Sequence, residues 1–204
     1  FGSHIHVVNF DSRNSFELSP ISKNQPFLSE LKELDGIKQI QVFATKPGMI
    51  KTEEYIQGIV FKGVNTDYNW NYLKANLIEG RLPLLNDSTR INEILISDQV
   101  AKLLRLKLDD SAVLYFINEN EINPRLIQPK VCGIYRTGLE EFDQLFVFGD
   151  LKQIQRLNDW SADEISGFEI EVNDFNRIDE IEQEVRNTVV EYTEDNTTIL
   201  RTEN

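Results

Sequence analysis

Apolar residues recur along this chain with two rhythms, a period of two and a helical period of about 3.6, and the switches between them mark out strands and helices. Residues 5–8 read as a short strand. Pro26 near a first turn, an apolar stripe of Phe27, Leu28, Leu31 and Leu34, and Gly36 as a stop predict a helix. Residues 37–43 predict a strand, Pro47-Gly48 a turn, and residues 55–63 another strand in which Gly58 is a candidate bulge. Trp70, Leu73 and Leu77 share one face of a short helix that Gly80 ends.

Further on, residues 93–96 predict a strand and Ser97 the cap of a helix carrying Val100, Leu103 and Leu104. Residues 112–117 and 126–134 read as strands around a polar segment, 118–125. Residues 131–143 read as a strand that stops at Gly133 and turns over at Gly138; acidic residues follow, and then a strand at 144–148. Asp150 opens a helix with Leu151, Ile154 and Leu157. Residues 167–172 alternate as a strand, Asp174 caps a last helix striped by Ile178, Ile181, Val185 and Val189, and residues 198–200 close the chain as a short strand. Strands and helices mix without a steady strand-helix-strand repeat, which predicts an α+β fold rather than a doubly wound sheet. Asn86-Asp87-Ser88 begins a polar loop suited to joining two lobes.

Charge narrows the partners. The 204 residues carry a formal net charge of -13, whereas phosphate backbones and anionic bilayers call for surplus Lys and Arg, so no nucleic acid is expected. No apolar run approaches the roughly 20 residues of a membrane-spanning helix. Cys132 is the only cysteine and lies in an apolar strand, where it reads as a small buried hydrophobe.

Candidate chemistry is sparse. Gly133 and Gly138 are too far apart for a phosphate-binding loop, so neither ATP nor another cofactor is expected on this chain. His4 and His6 point to one face of a strand and, with Asp11, form a candidate metal set, although a frayed terminus is a poor place for one and no metal is expected. Acidic clusters at Asp109-Asp110, Glu119 with Glu121, and Glu140-Glu141 with Asp143 offer paired carboxylates of the kind that hydrolyse glycosides; such work needs one of them in an apolar pocket, and these sit in polar turns. Serine and threonine nucleophiles lack a histidine base, because both histidines are terminal. The chain therefore reads as lacking an active site, with a secreted carboxylate-dependent hydrolase as the reading of another class.

Several segments, taken in order, resemble a known family. They are Gly58-Ile59-Val60-Phe61-Lys62-Gly63-Val64 with Asp67 after it, Leu77-Ile78-Glu79-Gly80-Arg81, Glu93-Ile94-Leu95-Ile96-Ser97 with Val100-Ala101-Lys102-Leu103-Leu104, residues 133–143, and Ser166-Gly167-Phe168-Glu169-Ile170-Glu171-Val172. Together they are similar to the MacB-like periplasmic core domain of FtsX-type ABC transporter permeases, and within that group to the lipoprotein-releasing LolC/LolE type. The opening Phe1-Gly2-Ser3-His4-Ile5 also resembles the family just after its first membrane helix. One departure is Asp109-Asp110, where the family has Gly-Asp at a tight turn.

The resemblance implies a two-lobed periplasmic domain: an α+β lobe from residues 1–77 plus 167–204, and a mostly β lobe, 78–166, inserted between them. It implies an inner-membrane protein whose flanking transmembrane helices lie outside this sequence. It also implies a cytoplasmic ATP-binding subunit, a second permease subunit, and ATP-driven motion passed to the periplasmic lobes. In the lipoprotein-releasing branch a loop of the inserted lobe holds a periplasmic lipoprotein carrier. The matching place here is residues 118–130, with Asn123, Pro124, Arg125 and Pro129 as candidate contacts; the same loop also reads as an ordinary hairpin connection. An efflux or cell-wall-hydrolase-regulating permease of the same fold is the alternative within the family.

Overall fold

The structure, a computed structural model, describes residues 4–9, 16–119, 121–192 and 200–203. In chain order its elements begin with β1 (His4–Asn9), β2 (Ile21–Ser22), α1 (Leu28–Leu31), β3 (Ile37–Lys51), β4 (Ile56–Val64), α2 (Asn71–Ala75) and β5 (Leu77–Gly80). There follow β6 (Glu93–Ser97), α3 (Asp98–Leu104), β7 (Val113–Phe116), β8 (Arg125–Ile127), β9 (Lys130–Tyr135), α4 (Glu140–Leu145) and β10 (Phe146–Asp150). The last are α5 (Leu151–Leu157), β11 (Glu164–Ile165), β12 (Gly167–Val172), α6 (Ile178–Tyr192) and β13 (Leu200–Glu203). This is a mixed α+β fold.

Contact density divides the chain into two compact units, one of Phe1–Phe43 with Ser161–Asn204 and one of Ala44–Trp160. The boundaries drawn from the sequence, after residues 77 and 166, fall elsewhere. The difference is segment 44–77: its strand β4 pairs in parallel with β10, from Val60 opposite Phe146 to Val64 opposite Asp150, and so belongs with the inserted unit. The loop at Asn86 likewise lies inside that unit.

In the unit holding both chain ends, β12 pairs antiparallel with β1 on one side and with β3 on the other, and β13 adds to β1. The alternation of β12 separates its faces. Phe168, Ile170 and Val172 are buried, as are Ile178, Ile181, Val185 and Val189 along α6. On the other face Glu169 accepts from Gln41 Nε2 (2.8 Å) and lies 3.1 Å from His6 Nε2, and Lys38 reaches Glu171 at 2.6 Å. Gly36 turns the chain into β3 at φ 92°, and a Cβ there would lie 2.6 Å from Ile181 Cδ1. Asp174 accepts from Asn176 N and so caps a 3-10 turn, Phe175–Arg177, that runs into α6.

In the inserted unit, β10 lies between β4 and an antiparallel β6; β6 runs parallel to β9, and β9 pairs antiparallel with β5. Met49–Lys51 of β3 carries β7, which carries β8. Leu73, Leu95, Tyr135, Phe142 and Phe148 form a core cluster, with Tyr68, Trp70, Leu77, Leu82 and Phe146 packed against it. Ser97 caps α3 as expected, its Oγ accepting from Val100 N at 3.0 Å. Asp150 opens α5, accepting from Lys152 N at 2.9 Å.

Five local expectations change; the first is that β9 runs through Gly133 to Tyr135 rather than stopping at that glycine. Pro47-Gly48 is not a turn but lies within β3; a Cβ on Gly48 would sit 2.6 Å from Phe116 Cε1 and 2.8 Å from Tyr115 O, so this glycine lets β7 come close. Leu77 is strand rather than helix, because it enters the ladder opposite Tyr135. The apolar run 126–134 is two strands, broken at Gln128-Pro129, where proline cannot donate to a ladder. Residues 140–145 form a helix ahead of β10. Glu140, Glu141 and Asp143 suit the positive end of its dipole, and Phe142 drops from it into the core cluster. Asp109 takes φ 66°, so the turn at Asp109-Asp110 is made without glycine, by an aspartate, a residue that tolerates the left-handed region.

Candidate partner-binding surface

The hairpin of β7 and β8 pairs Leu114 with Ile127, Tyr115 with Leu126 and Phe116 with Arg125. Leu114, Phe116 and Ile127 are buried, which turns the alternate positions outward. Ile117 is 61% exposed, Leu126 51%, and Ile122 at the tip of the connection 100%. An isoleucine with its whole side chain in water has no packing role in this chain, and with Ile117 and Leu126 on the same hairpin it makes a candidate surface for association. Of the residues the sequence singles out, Asn123 and Pro124 are exposed beside Ile122, whereas Pro129 is buried and its carbonyl accepts from Ala112 N at 2.9 Å.

Arg125 fastens the loop. Its Nε donates to both oxygens of Glu121, at 2.8 and 3.0 Å, and its Nη2 also reaches Glu121 and, at 2.5 Å, Asp159. Its Nη1 donates to the carbonyls of Leu157 (3.1 Å) and Arg156 (3.3 Å), the last of α5, where a cation meets the negative end of the helix dipole. Asn118 Nδ2 adds a bond to Leu157 O at 3.0 Å. The Arg125 guanidinium holds the carboxyls of Glu121 and Asp159 below the usual range. Arg125 thus presents the loop. Neither the exposed apolar triad nor the reach from Arg125 to Asp159 had a local signal in the sequence.

The other candidate groups are taken up elsewhere. Asp143 is buried and accepts from Thr137 N, Thr137 Oγ1 (2.7 Å) and Gly138 N, while Ser97 Oγ donates to its backbone carbonyl. Asp110 accepts from Lys107 N at 2.8 Å. His6 faces Glu169; Asp11 and the side chain of His4 lie outside the described residues, and among those described no group of three or more His, Cys, Asp or Glu is placed to hold a metal.

Cys132 is buried, its Sγ lies 3.2 Å from Ile94 O, and burial pushes the thiol up to about 12. A thiolate is the reactive form, so the folded protein should resist Ellman's reagent at mildly alkaline pH and react fully once unfolded in guanidinium. Prompt labelling of the folded chain would show that Cys132 is reachable.

Neither a protein-family model nor any curated protein matches this sequence. The fold, however, is that of extracytoplasmic domains of ABC-type transporters. The extracellular domain of the noncanonic ABC-type transporter YknZ from Gram-positive bacteria superposes with a TM-score of 0.62 at 16% identity, covering 98% of this chain and 100% of that one. The periplasmic region of MacB from Actinobacillus actinomycetemcomitans superposes at 0.56 with 10% identity, over 99% of this chain and 88% of that one. No helix among the described residues is long and apolar enough to cross a membrane.

Proposed function

We propose that this chain is the extracytoplasmic domain of an ABC transporter permease subunit, anchored by membrane helices outside the sequence and moved by an ATP-binding partner across the membrane. The observation that carries this reading is the end-to-end likeness to the YknZ extracellular domain, which leaves neither chain with an unmatched half. The domain has a mechanical role: ATP-driven motion of the membrane part is passed to it and to whatever its hairpin holds. The finer assignment is release of lipoproteins from the inner membrane to a periplasmic carrier, with Asn123 and Pro124 at the contact and Arg125 bracing it. The alternative substrate class, efflux or control of a cell-wall hydrolase, is served by the same fold.

Two measurements separate the levels. The full-length polypeptide should be recovered only from detergent-extracted membranes, together with a cassette ATPase; recovery from the soluble fraction sinks the permease reading. The domain, immobilised, should retain the lipoprotein carrier and lose it on joint substitution of Asn123→Lys and Pro124→Ser, which spares Arg125. No retention removes lipoprotein release and leaves the permease class standing.

A further inference from the structure

The hairpin loop shares its flank with a second exposed feature of the inserted unit. Segment 86–92 is drawn onto α5 by Lys152 Nζ donating to Asn86 O (2.6 Å) and by Gln153 Nε2 donating to Ile91 O (3.1 Å) and Asn92 Oδ1 (3.2 Å). Arg156 lies one turn beyond Gln153 on that helix, and its Nη2 reaches Leu126 O at 3.4 Å, the carbonyl of an exposed hairpin residue. Arg90 precedes Ile91 in the segment so held. Arg90, Arg125 and Arg156 are thus all held on or beside α5, and burial first, then the charges of Arg90 and Arg125, lower the Arg156 pKa.

Their charges are not equally matched. Arg125 is neutralised by Glu121 and Asp159. Arg90 and Arg156 are exposed, and among the described residues neither makes an ion pair. A chain of net charge -13 has carboxylates to spare for both. Two unmatched guanidiniums on one flank of α5 repel, and each is a fork shaped for a carboxylate. Leu126, whose carbonyl Arg156 reaches, belongs to the hairpin that also carries Ile117 and Ile122, all three half to wholly exposed. Apolar anchors next to unpaired cations make a mixed surface whose complement is itself mixed. A polyphosphate or an anionic bilayer fits poorly, because the acidic remainder of the chain repels an extended anion.

We propose that Arg90 and Arg156, with Ile117, Ile122 and Leu126, form a docking patch for a partner-protein segment in which carboxylates alternate with apolar side chains. This deepens the docking role given to the hairpin above and rests on it, while standing apart from the membrane anchoring. The segment's apolar side chains cover the three hairpin residues, and its carboxylates bridge the two guanidiniums and relieve their repulsion.

The test uses the 204-residue chain and short fluorescein-labelled peptides followed by anisotropy: one of Glu and Leu, one of Lys and Leu, and one of Gly and Ser. The acidic apolar peptide is expected to bind, more weakly at high salt. Joint Arg90→Gln and Arg156→Gln substitution is expected to weaken it about tenfold or more. Ile122→Ser, at a wholly exposed position that folding does not need, is expected to weaken it with the salt dependence unchanged. Equal binding of the acidic and basic peptides, or an unchanged affinity in the double arginine variant, overturns the patch. Either result is independent of whether the full-length polypeptide is recovered from membranes, so this failure and that of the permease reading are told apart.

Discussion

Phe148→Ala is expected to destabilise the inserted unit by about 4 kcal/mol, the range for truncating a buried phenylalanine in a site that cannot collapse. Phe148 is 1% exposed, and its ring centroid lies 5.9 Å from those of Tyr135 and Phe142, 6.3 Å from Tyr68 and Phe146, and 6.4 Å from Trp70. These neighbours come from different elements: the approach to α2, the strands β9 and β10, and the helix α4. The contacts with Tyr135 and Trp70 are edge-to-face and those with Tyr68, Phe142 and Phe146 tilted; ring pairs add to simple burial, and five rings lose a partner at once. The backbone of β10 is held on both sides, by β4 and β6, and cannot close the gap. Urea unfolding followed by tryptophan fluorescence is the measurement, since Trp70 lies against the cluster and should also shift in the folded state. A loss under about 1.5 kcal/mol, within the range of volume-conserving swaps, would mean that the cluster repacks freely.

Gly133→Ala should cost about 3 kcal/mol, at the upper end for overpacking, because what stands in the way is largely backbone. A Cβ there would lie 2.2 Å from Arg81 O and 2.8 Å from Leu95 Cδ1. The obstructing carbonyl follows β5, which is tied to β9 by the pairing of Gly80 with Gly133 and by Arg81 N donating to Cys132 O at 2.9 Å. Relief requires β5 to move away from β9, and that movement also pulls on the Arg81–Glu93 pair at 2.5 Å. Gly58→Ala is the control. Nothing lies within 4 Å of its added carbon, so the melting temperature should barely change. If the two alanine variants melt alike, the close approach at Gly133 is not as described.

The sequence was informative wherever the signal is local. The alternation in 167–172 follows from one buried and one polar sheet face, and the stripe on α6 from one face turned to that sheet. Ser97 and Asp150 cap helices because a short oxygen-bearing side chain satisfies the first free N–H groups. Local reading failed where a distant partner decides. Pro47-Gly48 has the composition of a turn, yet Phe116 explains the glycine. Leu77 continues a helical spacing, yet Tyr135 recruits it to a strand. For the candidate surface, proline at 124 marked the exposed loop, but not which side chains face water. Arg125 read as a contact residue, because its carboxylate at Asp159 and its carbonyls on α5 are far along the chain. Arg90 and Arg156 drew no notice, since each is an ordinary surface arginine until folding sets them together.

β1 has its two neighbours, β12 and β13, far along the chain, with a sequence separation of 163 from His6 to Glu169. During synthesis its Val7 and Val8 leave the ribosome long before any strand exists to receive them, while everything in 44–160 emerges in between. The inserted unit can therefore settle before β1 meets its partners. Until then β1 is an apolar strand with its backbone groups unspent, open to mispairing.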